Sequence, residues 1–87
     1  MKAVITVIGQ DMVGILAKVS TTCAEANANV LEVTQSVLQE YFAMVMLIDI
    51  SEMTVELEEL KANLNKNVQN MQIHVMHEDI FNSMHRI

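Results

Sequence analysis

The chain has no proline and no tryptophan, and only one cysteine, two glycines, one tyrosine and two phenylalanines in 87 residues. With no proline- or glycine-rich stretch, no linker divides it. Its length fits one domain over residues 1–87. A single cysteine, Cys23, excludes a disulfide framework and points to a cytoplasmic setting. Cations are scarce as well: five Lys and Arg stand against eleven Asp and Glu, giving a net charge of −6. Nucleic acid and anionic membrane are therefore excluded as expected partners, since both are bound through basic patches. The shortage of rings argues the same way, because small α+β RNA readers stack bases on aromatic side chains. No apolar run reaches the roughly 20 residues that cross a bilayer. The run after Lys2 ends at Gly9 without a small-residue cleavage pattern, so no leader peptide is expected.

What the chain does have is apolar surface: 52% of its residues are hydrophobic. A domain this small buries only roughly two-thirds of the surface its unfolded chain exposes. The excess predicts a homodimer or higher homo-oligomer.

Lys2 to Ile8 reads as a strand, apolar on both faces (Val4, Ile5, Val7, Ile8), and so as a central one. Gly9 to Met12 makes a turn in which Asp11 can cap the following helix. Gly14 falls in that helix's first turn, where glycine costs about 0.8–1 kcal/mol. It implies a close approach by backbone or ligand. The helix runs from Val13 to Asn27, with Leu16, Val19, Cys23 and Ala26 as its buried stripe and Lys18, Thr21, Thr22 and Glu25 opposite. Asn27-Ala28-Asn29 ends it.

Val30 to Leu38 alternates, with Leu31, Val33 and Val37 on a buried side and Glu32, Thr34 and Ser36 on the other. After Gln39-Glu40, the stretch Tyr41 to Ile50 is again apolar on both faces. Thr54 is placed to cap a second helix, with Glu56, Glu58 and Glu59 in its first turns. Leu57, Leu60 and Leu64 form its stripe, and Asn63, Asn65, Asn67 and Asn70 mark its end. Met71 to Met76 is a fourth strand, and Ile80, Phe81, Met84 and Ile87 give the tail, 78–87, a helical spacing.

This order is the βαββαβ pattern of a ferredoxin-like α+β sandwich. It predicts a four-stranded antiparallel sheet in the order 4-1-3-2, with two helices on one face over a core of residues 2–76. The two doubly apolar runs fall on the two central strands. The uncovered face is expected to present Val4, Thr6 and Ile8 with Phe42, Met44, Met46 and Ile48, and Met44 and Met46 are expected at an interface.

Gly9-x-Asp11-x-x-Gly14-Ile15-Leu16 at the first strand–helix turn, Asn29-Val30 at the start of the second strand and the apolar third strand resemble an ACT domain. The tail, from His77 to Ile87, is similar to that of small stand-alone bacterial members, and the first motif is similar to that of glycine-cleavage repressor-like regulators. The resemblance implies a non-enzymatic regulatory module with an amino-acid effector bound between two ACT domains. Its site would use Gly9, Gln10, Asp11, Met12, Val13, Gly14, Ile15 and Leu16 for backbone N–H groups, and Asn29 and Val30 at the start of strand two. A partner enzyme or regulator would read the bound state. Serine-binding members with a similar turn carry histidine at the position of Gly9 and asparagine at that of Asp11, so the resemblance does not fix the ligand.

The chemistry of the turn agrees. A helix N-terminus suits a carboxylate, and Asp11 beside it suits the ammonium of a zwitterion. Simpler roles exist for each residue: Asp11 as a cap only, Gly14 as a packing contact, Asn29 as a turn residue. A pure protein–protein interaction subunit without ligand is the alternative. No cofactor or metal is expected. His74 and His77 point to opposite strand faces, and His85 lies on the tail. Cys23, on a buried stripe, is expected to be inert.

Overall fold

The protein is described by a computed structural model over residues 1–10 and 14–84. Strands β1 (Lys2–Gly9) and β3 (Tyr41–Asp49) lie side by side in the middle of a four-stranded antiparallel sheet. β2 (Asn29–Leu38) flanks β3, and β4 (Gln72–His77) flanks β1. This is the predicted order. It places the two runs with no polar face at the centre of the sheet.

The register decides which residues form the core. Ala3 pairs with Ile48, Ile5 with Met46 and Val7 with Met44. These residues join the buried cluster beneath helices α1 (Ile15–Glu25) and α2 (Leu57–Asn67). Phe42, Met44, Met46 and Ile48 are therefore core residues, not the uncovered face, and Met44 and Met46 are fully buried rather than at an interface. Val4, Thr6 and Ile8 do lie on the other face, where their β3 partners are Leu47, Val45 and Ala43. A strand that is apolar at every position gives no phase to its period of two, and a one-residue shift exchanges its faces.

The uncovered face is correspondingly less apolar than expected. Its middle row is Thr34, Val45, Thr6 and His74, and the next is Ser36, Ala43, Ile8 and Gln72. At its other end the tail forms helix α3 (Glu78–Met84), which packs against β1 and β4. Val4 is only 3% exposed although it lies outside the cluster under α1 and α2. We attribute that burial to α3 folding over this end of the face.

Val19, Cys23 and Ala26 of the expected α1 stripe are buried, but Ile15 replaces Leu16 in it and Thr22 joins it. Leu16 is 40% exposed. Thr22 can be buried because its hydroxyl is satisfied: it donates to the Lys18 carbonyl at 2.8 Å and accepts from Asn67 Nδ2 at 2.9 Å. That second bond ties α1 to the last residue of α2. Thr54 does not cap α2; its hydroxyl and N–H both donate to the Ala26 carbonyl, pinning the loop before α2 to the end of α1. Glu56 holds the capping position without a side-chain bond, while Glu58 and Glu59 sit in the first turn as expected.

The close approach expected at Gly14 is found at Gly9 instead. Gly14 precedes α1 with φ 72, a left-handed conformation, and no described residue other than its chain neighbours lies within 4 Å of where its Cβ would stand. Its constraint is conformational. Gly9 is the last residue of β1, and a Cβ there would fall on the sulfur of Met71. Its constraint is close approach. Among the described residues, Asn27, Gln39 and Asn70 also adopt the left-handed conformation, at φ 60, 57 and 66. They do so at turns where a chain poor in glycine has no alternative.

β2 is longer than the layer that covers it. Val30 packs against the core, but Leu31 to Val37 are all exposed, Val37 by 58%. The expected buried side of this strand is therefore open. A register shift between Val30 and Glu32 marks a bulge near its start.

Candidate functional site

The expected site residues fall at two ends of the sheet. At one, Gly9 pairs with Phe42, and Phe42 with Val37. At the other, Lys2 pairs with Asp49, and Asp49 with Asn29. β1 and β2 both run antiparallel to β3, so they are parallel to each other and begin at the same end. Seven residue steps along β1, at about 3.3 Å each, put roughly 23 Å between the ends.

Of the expected site residues, Gly9, Gln10, Gly14, Ile15 and Leu16 cluster at the first end, while Asn29 and Val30 start β2 at the second. Within one chain they do not meet. Asp11, Met12 and Val13 lie outside the described residues. The Ile15 side chain turns into the core and the Leu16 side chain outward, so backbone is what Ile15 can offer a ligand. Gly14, which has no side chain, holds the capping position of α1, and a helix N-terminus carries a partial positive charge; the cap expected from Asp11 lies outside the described residues.

Asn29 is exposed, and no described residue hydrogen-bonds its side chain. Its surroundings are ordered by short bonds. The Ser51 N–H donates to Asp49 Oδ1 at 2.9 Å, the Met1 ammonium to Ser51 Oγ at 2.8 Å, and Asn27 Nδ2 to the Glu52 carbonyl at 2.8 Å. Hydrogen bonding from Ser51 holds the Asp49 carboxyl below its ordinary value. Val30 points into the core layer beside Ile48.

The turn end also opens onto a cleft of about 780 Å³ between the end of β1, the two helices and the connection from α2 to β4. Lys18 and Lys66 both line it, with Gln10, Asn67 and Asn70. Sequence reasoning missed this group. Its members come from separate helices and loops, and only the packing of α1 on α2 brings them together. The one available signal was that cations are few.

His74 sits on the uncovered face opposite Thr6, and His77 on the helix side opposite Ala3. No group of three or more metal-ligating side chains occurs among the described residues, and His85 lies outside them. No described helix is long and apolar enough to cross a membrane.

Cys23 is fully buried, and burial pushes its thiol up to about 11 from 9.0. The folded state thus holds this proton more tightly than the unfolded chain does. The associated stability is complete below pH 9 and is lost as pH rises from 9 toward 11. Urea midpoints should fall across that window in the natural protein and less so in Cys23→Ala. A thiol reagent at pH 8 should label the protein only once it is unfolded.

The sequence model of the ACT domain family matches residues 2–78. A UPF0237 protein of Listeria monocytogenes serotype 4b is 47% identical over 89 aligned residues, covering 100% of both chains. One from Methanocaldococcus jannaschii is 47% identical over 88 residues, covering 99% of this chain and 98% of the other. Among solved structures, an ACT domain protein from Streptococcus pneumoniae superposes with a TM-score of 0.77 at 34% identity, covering 93% of each chain.

Proposed function

This chain belongs to the ACT domain family, and from that premise we propose that it is a non-enzymatic regulatory module binding an amino acid between two copies of itself. The observation that carries the reading is the separation of the two half-sites. The Gly9–Leu16 turn and Asn29 lie at opposite ends of parallel strands β1 and β2. A site using both needs a second chain. The β2 edge is a fitting place for it: it is unpaired, ten residues long and exposed from Leu31 to Val37. Unprotected edges of that kind invite pairing. If two copies align their β2 edges antiparallel, each Asn29 comes to the sheet end that carries the partner's turn.

In such a cradle the α1 N-terminus takes the ligand carboxylate, Asp11 the ammonium, and the partner's amide side chain a third polar group. Hydrogen bonds to charged groups contribute roughly 1.5–3 kcal/mol each. Two or three of them support micromolar-to-millimolar affinity after the cost of association. The occupied cradle would favour one arrangement of the two copies, and a partner enzyme or regulator in the cytoplasm would respond to it. Catalysis has no place in this reading, since the one thiol is buried and held protonated.

A thermal-shift screen of the twenty amino acids tests it. Ligand at a hundred times its dissociation constant adds about 2.7 kcal/mol, which raises the Tm of a domain this size by roughly 10 °C or more. Twenty flat curves would leave the interaction-subunit reading, for which the exposed β2 edge is the specific support.

A further inference from the structure

We propose that the cleft between the end of β1 and the α2–β4 connection binds a small dianion, a phosphate monoester or a dicarboxylate, between Lys18 and Lys66. This goes beyond the amino-acid reading. The cleft is built by one chain, needs no second copy, and its charge suits a ligand without an ammonium group.

Charge is the first argument. The chain carries more than twice as many acids as bases, yet two of its five cations line this one cleft, and no described lining residue is acidic. No described carboxylate pairs with either ammonium. The helix dipoles do not supply the field, because α1 begins here and α2 ends here. Their half-charges oppose each other, which leaves the two lysines as the whole charges among the described lining residues.

Position is the second. Lys18 lies on α1 and Lys66 in the last turn of α2. The bond from Asn67 to Thr22 fixes those two stretches against each other, so the lysines approach the cleft from separate backbones held in register. Gln10, Asn67 and Asn70 add amide groups to the rim. The volume of about 780 Å³ lies within the range of metabolite sites.

The test is titration of the ¹⁵N-labelled full chain at low ionic strength with inorganic phosphate, glycerol 3-phosphate and succinate. At least one dianion should shift the amides of Gly9 and of residues 66–72 with millimolar or tighter affinity. Succinate alone would assign a dicarboxylate, and the phosphates alone a phosphoryl group. Lys18→Gln and Lys66→Gln should each weaken binding about tenfold, the scale of one lost charged hydrogen bond. Lys61→Gln, off the cleft, should leave it unchanged. Spectra of the unliganded variants report that each is folded. Asn29→Ala, which removes a contact of the amino-acid site, should bind the dianion normally, so the two readings fail separately. Absence of shifts with all three probes, or unchanged affinity in the double lysine variant, would overturn the proposal.

Discussion

Met46→Lys should abolish folding, while Val45→Lys, one residue earlier on the same strand, should leave the domain folded. Met46 is fully buried under the helices and pairs with Ile5, itself fully buried. An unpaired charge there costs several kcal/mol, by comparison with the roughly 3–5 kcal/mol lost when a buried ion pair is broken. A small domain has only about 5–15 kcal/mol in total. Val45 is 37% exposed on the uncovered face between Thr6 and Thr34, where a lysine stem can lie along the sheet with its ammonium in water. Far-UV circular dichroism and urea titration of the two variants decide between the observed register and the opposite one. In the opposite one, Val45 would be the intolerant position.

Ile15→Ala should cost about 2–5 kcal/mol, and Leu16→Ala within about 0.5 kcal/mol of nothing. Ile15 is buried in the cluster shared by β1, β3 and both helices, and Leu16 turns toward solvent. The contrast is larger than an error in reading urea midpoints, and it is opposite to what the sequence stripe implies. It also bears on the site. Truncating Ile15 loosens the anchor that holds the start of α1, so any ligand resting on those amides should bind more weakly in Ile15→Ala. In Leu16→Ala, binding should change only if a second copy packs there.

The architecture was legible in the sequence because it depends on element order and on which strands lack a polar side. β1 and β3 have no polar side, and they are central. The element order placed β4, expected over Met71 to Met76 and found over Gln72–His77, on an edge, where it lies. What failed was phase. In β3, apolar residues at nearly every position conceal which side faces the helices. In α1, Leu16 and Ile15 are equally hydrophobic, and Thr22 was assigned outward because its partner, Asn67, is 45 positions away. The turn was found because both glycines occur in it, yet their roles could not be read locally. Gly9 is constrained by Met71, 62 residues on. The separation of Asn29 from the turn follows from parallel β1 and β2, which becomes visible only once the sheet is assembled.

The most direct measurement mixes two disabled proteins. Asp11→Ala removes the proposed ammonium partner in the turn, and Asn29→Ala removes the contact at the far end of the sheet. Each alone should give no thermal shift with the amino acid that stabilises the natural protein. Unfolded together and refolded in equal amounts, they should recover about a quarter of the natural binding sites, because half of randomly formed two-fold dimers are mixed and each mixed dimer carries one intact cradle. A mixture as silent as its parents, or an Asn29→Ala protein that binds fully by itself, would contradict a site shared between two chains.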